Sequence, residues 1–441
     1  MRPICDFVSS YIASGASRFH MPGHKGVSVL GPEAYDITEI DGADVLSSAS
    51  GIIGKSEDLT SEFFGTGHTF YSTEGSTLAI KAMLALATSG KKNPTVLADR
   101  CAHKAFILSA ALIGFDVEWL YSDVPSHLCV TRVTPESVRA ALIKNPDVSV
   151  VYLTSPDYLG NIADISAIAE IAHEHGALLL VDNAHGAYLK LLTPSRHPID
   201  LGADMCADSA HKTLPVLTGG AYLHISKNAP SRLISEARTK MSIFASTSPS
   251  YLILQSLDIM QERLNSGYTS ELSLCVRQTN ELKANIAKLG YIPEDTEPCK
   301  IVINAKKYGY TGTALAEALR RESVECEFAD SDYLVLMTSP ALDASDYKRV
   351  LSALSTLQRL QEIPPSSVPA PRTEKILSVR EAIFAKSRRV SVTEAIGKIC
   401  AAPTVSCPPA VPIAVSGELI TEDVARAFLS YGITDVLVVD E

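Results

Sequence analysis

The string Asp208 to Pro215, DSAHKTLP, sets Lys212 behind a serine and a histidine, just after a buried-looking segment. A lysine amine can condense with a carbonyl to a Schiff base when its surroundings favour the neutral form. Alone, the string describes a solvated surface lysine equally well, so its meaning depends on what stands upstream. There, Leu178 to Val181 (LLLV) reads as a short buried strand that delivers Asp182 at its C-terminal end, followed by Asn183, Ala184 and His185. Ligands of open α/β sheets bind outside such strand ends. Glu74 to Ala82, EGSTLAIKA, places Gly75, Ser76 and Thr77 ahead of an apolar helical run. Orphan N–H groups, hydroxyls and the helix dipole together make such a start an anion site, although an ordinary N-cap has the same composition. His103, in CAHKA, follows a further strand candidate.

A Schiff-base lysine, a carboxylate at a strand end, a phosphate-binding helix start and an imidazole able to cover a ring are together what pyridoxal 5'-phosphate requires. Its ring nitrogen needs an anion opposite it, because the protonated pyridinium is the electron sink for a broken bond to Cα. Asp182 supplies that anion; a turn or N-cap role for Asp182 leaves the lysine downstream unexplained.

The elements that must position these residues alternate between about residues 60 and 225, short β-rich runs with helical stretches, which predicts an α/β domain with a mostly parallel sheet. Pro94 to Ala98, Val148 to Leu153, Leu178 to Val181 and Ala221 to Ile225 are the strand candidates, apolar or branched and bounded by turn or polar residues. Ile165 to His175 has helical spacing, with Asp164 as N-cap and Gly176 as C-cap. Ser250 to Leu289 reads as one or two long helices, and Ile301 to Leu354 as a smaller α/β unit. Pro364 to Pro371, PPSSVPAP, reads as a connector to a C-terminal module from Lys375 to Glu441.

The bulk composition narrows the function. Of 441 residues, 46% are hydrophobic and 20% charged, the balance of a globular chain able to bury a sizeable core. A net charge of -11 offers no basic field for nucleic acid or anionic lipid. Without an apolar run of spanning length, or the charged-then-apolar layout of a leader in MRPICDFVSS, a cytoplasmic location is expected. The nine cysteines show no CxxC and no spaced histidine partners, so reduced thiols and no metal site are expected.

The set as a whole resembles the group I ornithine, lysine and arginine decarboxylases of aspartate-aminotransferase fold. FHMPGHKG (Phe19 to Gly26), DITEIDGADVL (Asp36 to Leu46), EGST (Glu74 to Thr77), TSPDYLG (Thr154 to Gly160), DNAHGA (Asp182 to Ala187), SAHKTLP (Ser209 to Pro215) and STSPSY (Ser246 to Tyr251) match that family's pattern in order. SVREAIFA (Ser378 to Ala385) and CPPAVPIAVSGELIT (Cys407 to Thr421) are similar to its C-terminal module. The resemblance implies a fold type I large domain over residues 55–249, preceded by an N-terminal arm over 1–54. It is followed by a long helix and small α/β domain over 250–363 and the C-terminal module over 372–441.

It further implies that Lys212 holds pyridoxal phosphate as a Schiff base, Asp182 pairs with the pyridine nitrogen, His103 stacks on the ring, and His185 lies by the ring edge. Gly75, Ser76, Thr77, Ser209 and His211 would hold the phosphate, and Thr154 would join the cofactor site. The functional unit would be a homodimer, with the arm and STSPSY completing the partner's site and higher assembly left open. Glu418, and after it Glu381, are the candidates for reading the distal basic group of the substrate by charge pairing. The expected reaction is decarboxylation of arginine, lysine or ornithine to the amine and CO2. Transamination, aldol cleavage or elimination on the same fold, with Arg320, Arg321 or Arg372 on the α-carboxylate, is the alternative, and a non-catalytic regulatory relative a further one. The chain departs from the family in beginning almost directly at the arm, without the receiver-like wing domain of the long members, so wing-built decamers are not expected. It also carries Ala410 where glycine is usual, which bears on the substrate-facing turn.

Overall fold

The computed structural model describes residues 1–121, 127–130, 132–365, 371–402 and 411–440; Cys407, Ala410 and most of the PPSSVPAP connector lie outside them. The chain forms two compact units, one of residues 1–94, 142–153 and 165–269, the other of residues 95–141, 154–164 and 270–441.

The strands, in chain order, are β1 (His68–Ser72), β2 (Thr95–Asp99), β3 (Asp116–Leu120), β4 (Val150–Thr154), β5 (Leu178–Asp182), β6 (Met205–Asp208), β7 (Ala221–Ile225), β8 (Lys300–Asn304), β9 (Phe328–Ala329), β10 (Tyr333–Met337), β11 (Ser387–Ser391) and β12 (Asp435–Val439). In the first unit the order is β1-β7-β6-β5-β4. β5 and β6 are parallel, with Leu180 opposite Met205 and Asp182 opposite Ala207. β7 runs antiparallel to both β6 and β1, so it alone opposes the direction shared by β1, β5 and β6. Leu179, Leu180, Val181, Met205, Cys206 and Ala207 are fully buried, which is why β5 reads as an unbroken apolar run rather than an alternating one. Each large aliphatic side chain so placed contributes about 1.5–3 kcal/mol.

Helix Gly75–Thr88 follows β1, and its start is set by Gly75 at φ 72, a left-handed conformation that a side chain would strain. Helix Ile165–Glu174 lies where the sequence predicts it, one residue shorter at its end. The long helical stretch resolves into Tyr251–Asn265 and Tyr268–Lys288.

The second unit contains the parallel pair β2–β3, the antiparallel sheet β8-β10-β9 and the antiparallel pair β11–β12. Helices Tyr268–Lys288, Gly312–Arg321 and Ala344–Ser355 close one core over the three-stranded sheet, around Ile286, Ile301, Leu315, Leu334 and Leu354. A separate core joins β11–β12 to helix Glu422–Ser430 through Val390, Val436, Val438, Val424 and Phe428. Among the described residues no helix is long and apolar enough to cross a membrane.

Candidate active site

Lys212 sits in the short helix Ala210–Thr213 that leaves β6, and its Nζ lies 3.2 Å from Nε2 of His185. His185 is buried in the turn after β5, so the register of two parallel strands brings an amine and an imidazole together. Asp182 closes β5, buried. Its Oδ2 accepts from the Tyr152 hydroxyl at 3.2 Å, and its Oδ1 from the Ala184 N–H at 3.2 Å. Burial pushes the Asp182 carboxyl above its ordinary value, and the Lys212 ammonium and the Ala184 N–H only partly offset this. Such a carboxylate is set to gain from a cation placed against it.

The phosphate candidates gather at the start of helix Gly75–Thr88. Its N-cap Glu74 makes no side-chain capping bond, so the first-turn N–H groups lack the usual side-chain acceptor. The Gly75 N–H is turned back onto the Gly219 carbonyl at 2.7 Å, and the space beside its Cα is open. Thr77 lies in that first turn. Ser209 Oγ donates to Ser76 Oγ at 2.8 Å, which brings the β6 exit to the helix start. His211 uses Nδ1 on the Gly220 carbonyl at 2.9 Å, and burial, with the Lys212 charge beside it, holds the imidazole below its ordinary pKa and hence neutral. Glu74 accepts the Ser246 N–H at 2.6 Å, tying STSPSY to the same loop.

These features fit the group that the sequence implies: an open glycine-lined helix start with hydroxyls for a phosphate, a buried anion for a ring nitrogen, and an amine beside an imidazole.

The second unit carries the remaining candidates. His103 is the N-cap of helix Lys104–Ser109, its Nδ1 accepting the Ala105 N–H at 3.1 Å. Thr154 ends β4; its N–H donates to the Asp99 carboxylate, and its buried Oγ1 has no hydrogen-bond partner among the described residues. Glu418 is 3% exposed and takes 3.1 Å and 2.7 Å bonds from Arg100 Nη2 and the Val415 N–H. Glu381 forms the capping box of helix Val379–Phe384 with Ser378. The two carboxylates expected to meet a substrate therefore each have a local partner, a buried guanidinium in one case and a helix cap in the other. Arg320 pairs with Glu325, and Arg372 lies over the Tyr121 ring at 5.2 Å.

Tyr152 escapes a motif search, since its part depends on β4 reaching the side of Asp182. A second group also escapes it: His197, Asp208 and His224, all buried, whose ligand atoms lie within 4.8 Å of one another. Asp208 is the first residue of DSAHK, so the signal was there, but nothing in one dimension brings two distant histidines to it.

Comparison with known proteins supports the same reading. The family model described as Orn/Lys/Arg decarboxylase, major domain, matches residues 2–295. The arginine decarboxylase of Bacillus subtilis is 28% identical over 442 residues, covering 92% of this chain and 88% of that protein. The arginine decarboxylase of Halalkalibacterium halodurans is 29% identical over 452 residues, covering 95% and 91%. Among solved structures, the Francisella novicida lysine decarboxylase superposes with a TM-score of 0.81 at 16% identity, over 100% of this chain and 81% of that one. Lysine decarboxylase A from Pseudomonas aeruginosa gives 0.81 at 17% identity, over 98% and 75%.

Proposed function

The chain belongs to the Orn/Lys/Arg decarboxylase family and is a pyridoxal-phosphate-dependent decarboxylase of fold type I, and we propose that it converts a basic L-amino acid, arginine first among arginine, lysine and ornithine, into the amine and CO2. The observation that carries this is the Lys212–His185 contact at 3.2 Å at the exit of a strand whose parallel neighbour ends in buried Asp182. The preference for arginine rests on relatives matching nine-tenths of the chain that are described as arginine decarboxylases, those of Bacillus subtilis and Halalkalibacterium halodurans among them.

In this reading Lys212 carries the cofactor, and Asp182 pairs with its ring nitrogen. His103 covers the ring, His185 lies by its edge, and Thr154 belongs to the cofactor site. Gly75, Ser76, Thr77, Ser209 and His211 hold the phosphate. The bound cofactor supplies the electron sink for the pair left when the Cα–carboxylate bond breaks. The chain's own groups do the rest. His185 Nε2 exchanges a proton with Lys212 Nζ, so that the amine can be neutral when it must act as a nucleophile. Asp182, acting in a dry site, holds the ring nitrogen's proton; preorganised charge of this kind supplies about 3–4 kcal/mol of barrier lowering. Once CO2 has left, Lys212 or His185 returns a proton to Cα. The assembly we propose is a cytoplasmic homodimer.

The test is an absorbance spectrum of the purified protein before and after borohydride, followed by incubation with each of the three amino acids while CO2 and amines are measured. A visible band that borohydride removes, with label on Lys212 and CO2 from arginine, is the expected result. Bound cofactor without CO2 from any of the three would overturn the substrate class.

A further inference from the structure

Beneath Ser209 and Asp182 lies a buried anion. Asp208, 0% exposed, closes β6 directly before Ser209. Its Oδ2 accepts from Nε2 of His197 at 3.0 Å and of His224 at 3.2 Å, and its Oδ1 accepts from Nδ2 of Asn183 at 2.7 Å. With Nε2 of His224 donating, its Nδ1 is left to accept the Thr69 hydroxyl at 2.8 Å, the neutral tautomer. Burial is the largest influence on both groups. It lowers the pKa of His224, while for Asp208 it is outweighed by the two imidazoles, which hold the carboxyl well below the usual range. The arrangement is thus one carboxylate filled by three N–H donors, drawn from β7, from the turn after β5 and from the segment before β6.

A carboxylate in a core costs several kcal/mol unless its lone pairs are satisfied, and packed apolar side chains there would often serve stability as well or better. What this anion does that an apolar residue could not is join two strand exits. Asn183 follows Asp182, and Asp208 precedes Ser209. The β5–β6 ladder continues one bond beyond Asp182, where the Asn183 N–H reaches the Ala207 carbonyl at 3.0 Å. The side-chain bond from Asn183 to Asp208 locks the exits at the point where the strands diverge.

We propose that Asp208, held by His197, His224 and Asn183, is a positioning residue that fixes the exits of β5 and β6, and with them the placement of Asp182 relative to Ser209 and Lys212. The proposal rests on the reading of those three residues as holders of the cofactor. Asp208, whose carboxylate is taken up by His197, His224 and Asn183, acts through those residues.

The experiment compares wild-type enzyme with Asp208→Asn and Asn183→Ala, measuring cofactor dissociation constants by equilibrium dialysis and the pH midpoint of the visible band, at temperatures where circular dichroism shows each protein folded. Asp208→Asn removes the charge, and Asn183→Ala removes the tie while leaving the charge. Both should weaken cofactor binding by about tenfold or more, the scale of one lost hydrogen bond to a charged group. The titratable and charged groups facing this region are Lys212, Asp182, His185, His211 and Tyr152 on the cofactor side, and His197, His224, Cys206 and Tyr222 around Asp208, with Lys190 and Asp200 acting on that cluster. Removing a negative charge from among them should move the midpoint of the band downward in Asp208→Asn. Should that variant fail to fold, Asn183→Ala carries the test by itself. Folded variants with wild-type affinity and midpoint would reduce the network to structure and overturn the proposal. One equivalent of zinc in the purified wild type would also overturn it, by making the His–Asp–His group a metal site. A wild type that takes up no cofactor would instead bring down the underlying reading of the site, and the positioning role with it.

Discussion

Asp182 shows how much a single buried carboxylate reveals about what must stand opposite it. Burial holds its carboxyl above the ordinary value even with the Lys212 ammonium nearby. Ionised in the cofactor-free protein, it therefore costs stability. That cost is absent at pH below the ordinary carboxylate range and appears as the pH rises through the raised value. Asp182→Asn should accordingly unfold at higher urea than wild type when both lack cofactor, with the gap opening as the pH rises. With cofactor the order of merit reverses: the variant should keep cofactor, counted by absorbance, yet lose about 100-fold or more in kcat. Near-normal kcat would sink the electron-sink role. At this scale the sequence was informative where chemistry is local. Lys212, Ser209 and His211 lie in one string, and Asp182 and His185 in another. Tyr152, Asn183 and Asp208 were not legible as partners because their contacts follow from strand register, which neighbouring residues do not encode.

At the scale of elements, the buried Arg100–Glu418 pair joins the exit of β2 to the C-terminal residues. Arg100 also donates to the carbonyls of Pro412 and Ile413 at 3.2 Å and 3.1 Å, and lies over the Trp119 ring at 5.1 Å. Glu418→Ala leaves that guanidinium buried and unpaired, which should cost about 3–5 kcal/mol, read as a lower urea midpoint at an unchanged slope. If Glu418 met the substrate instead, the variant would raise KM with little change in stability. Glu381→Ala separates the same alternatives: the structure uses this side chain to close the N-terminus of helix Val379–Phe384, so KM should stay at its wild-type value. The strands buried on both faces were legible as apolar runs, Ala221 to Ile225 with its true limits and the others within a residue or two. β6 was missed because MCAD is four residues long and carries an acid, and the reversal of β7 was missed because an apolar run has no direction.

Over the whole molecule, the question is what covers the N-terminal segment. Its backbone is well held: Arg18 Nη2 donates to the Ala34 carbonyl at 2.7 Å, and His24 reaches Asp36 at 3.3 Å. Yet Phe19 is 97% and Leu30 89% exposed, and Met21, Val27 and Val29 are exposed with them. An ordered loop that turns its large apolar side chains to water stabilises nothing within its own chain, and each would gain about 1.5–3 kcal/mol on being covered. A second copy of this chain is the partner that the family resemblance implied for parts of the N-terminal arm. Phe19→Glu with Leu30→Glu should therefore convert a dimer into a folded monomer, measured by light scattering at micromolar concentration alongside circular dichroism. Because the segment and STSPSY are proposed to complete the partner's site, activity per chain should fall in step with dissociation, both in the double variant and in wild type on dilution. A wild type that is monomeric at these concentrations and fully active would show that each chain completes its own site, and the exposed apolar stretch would then need a different partner.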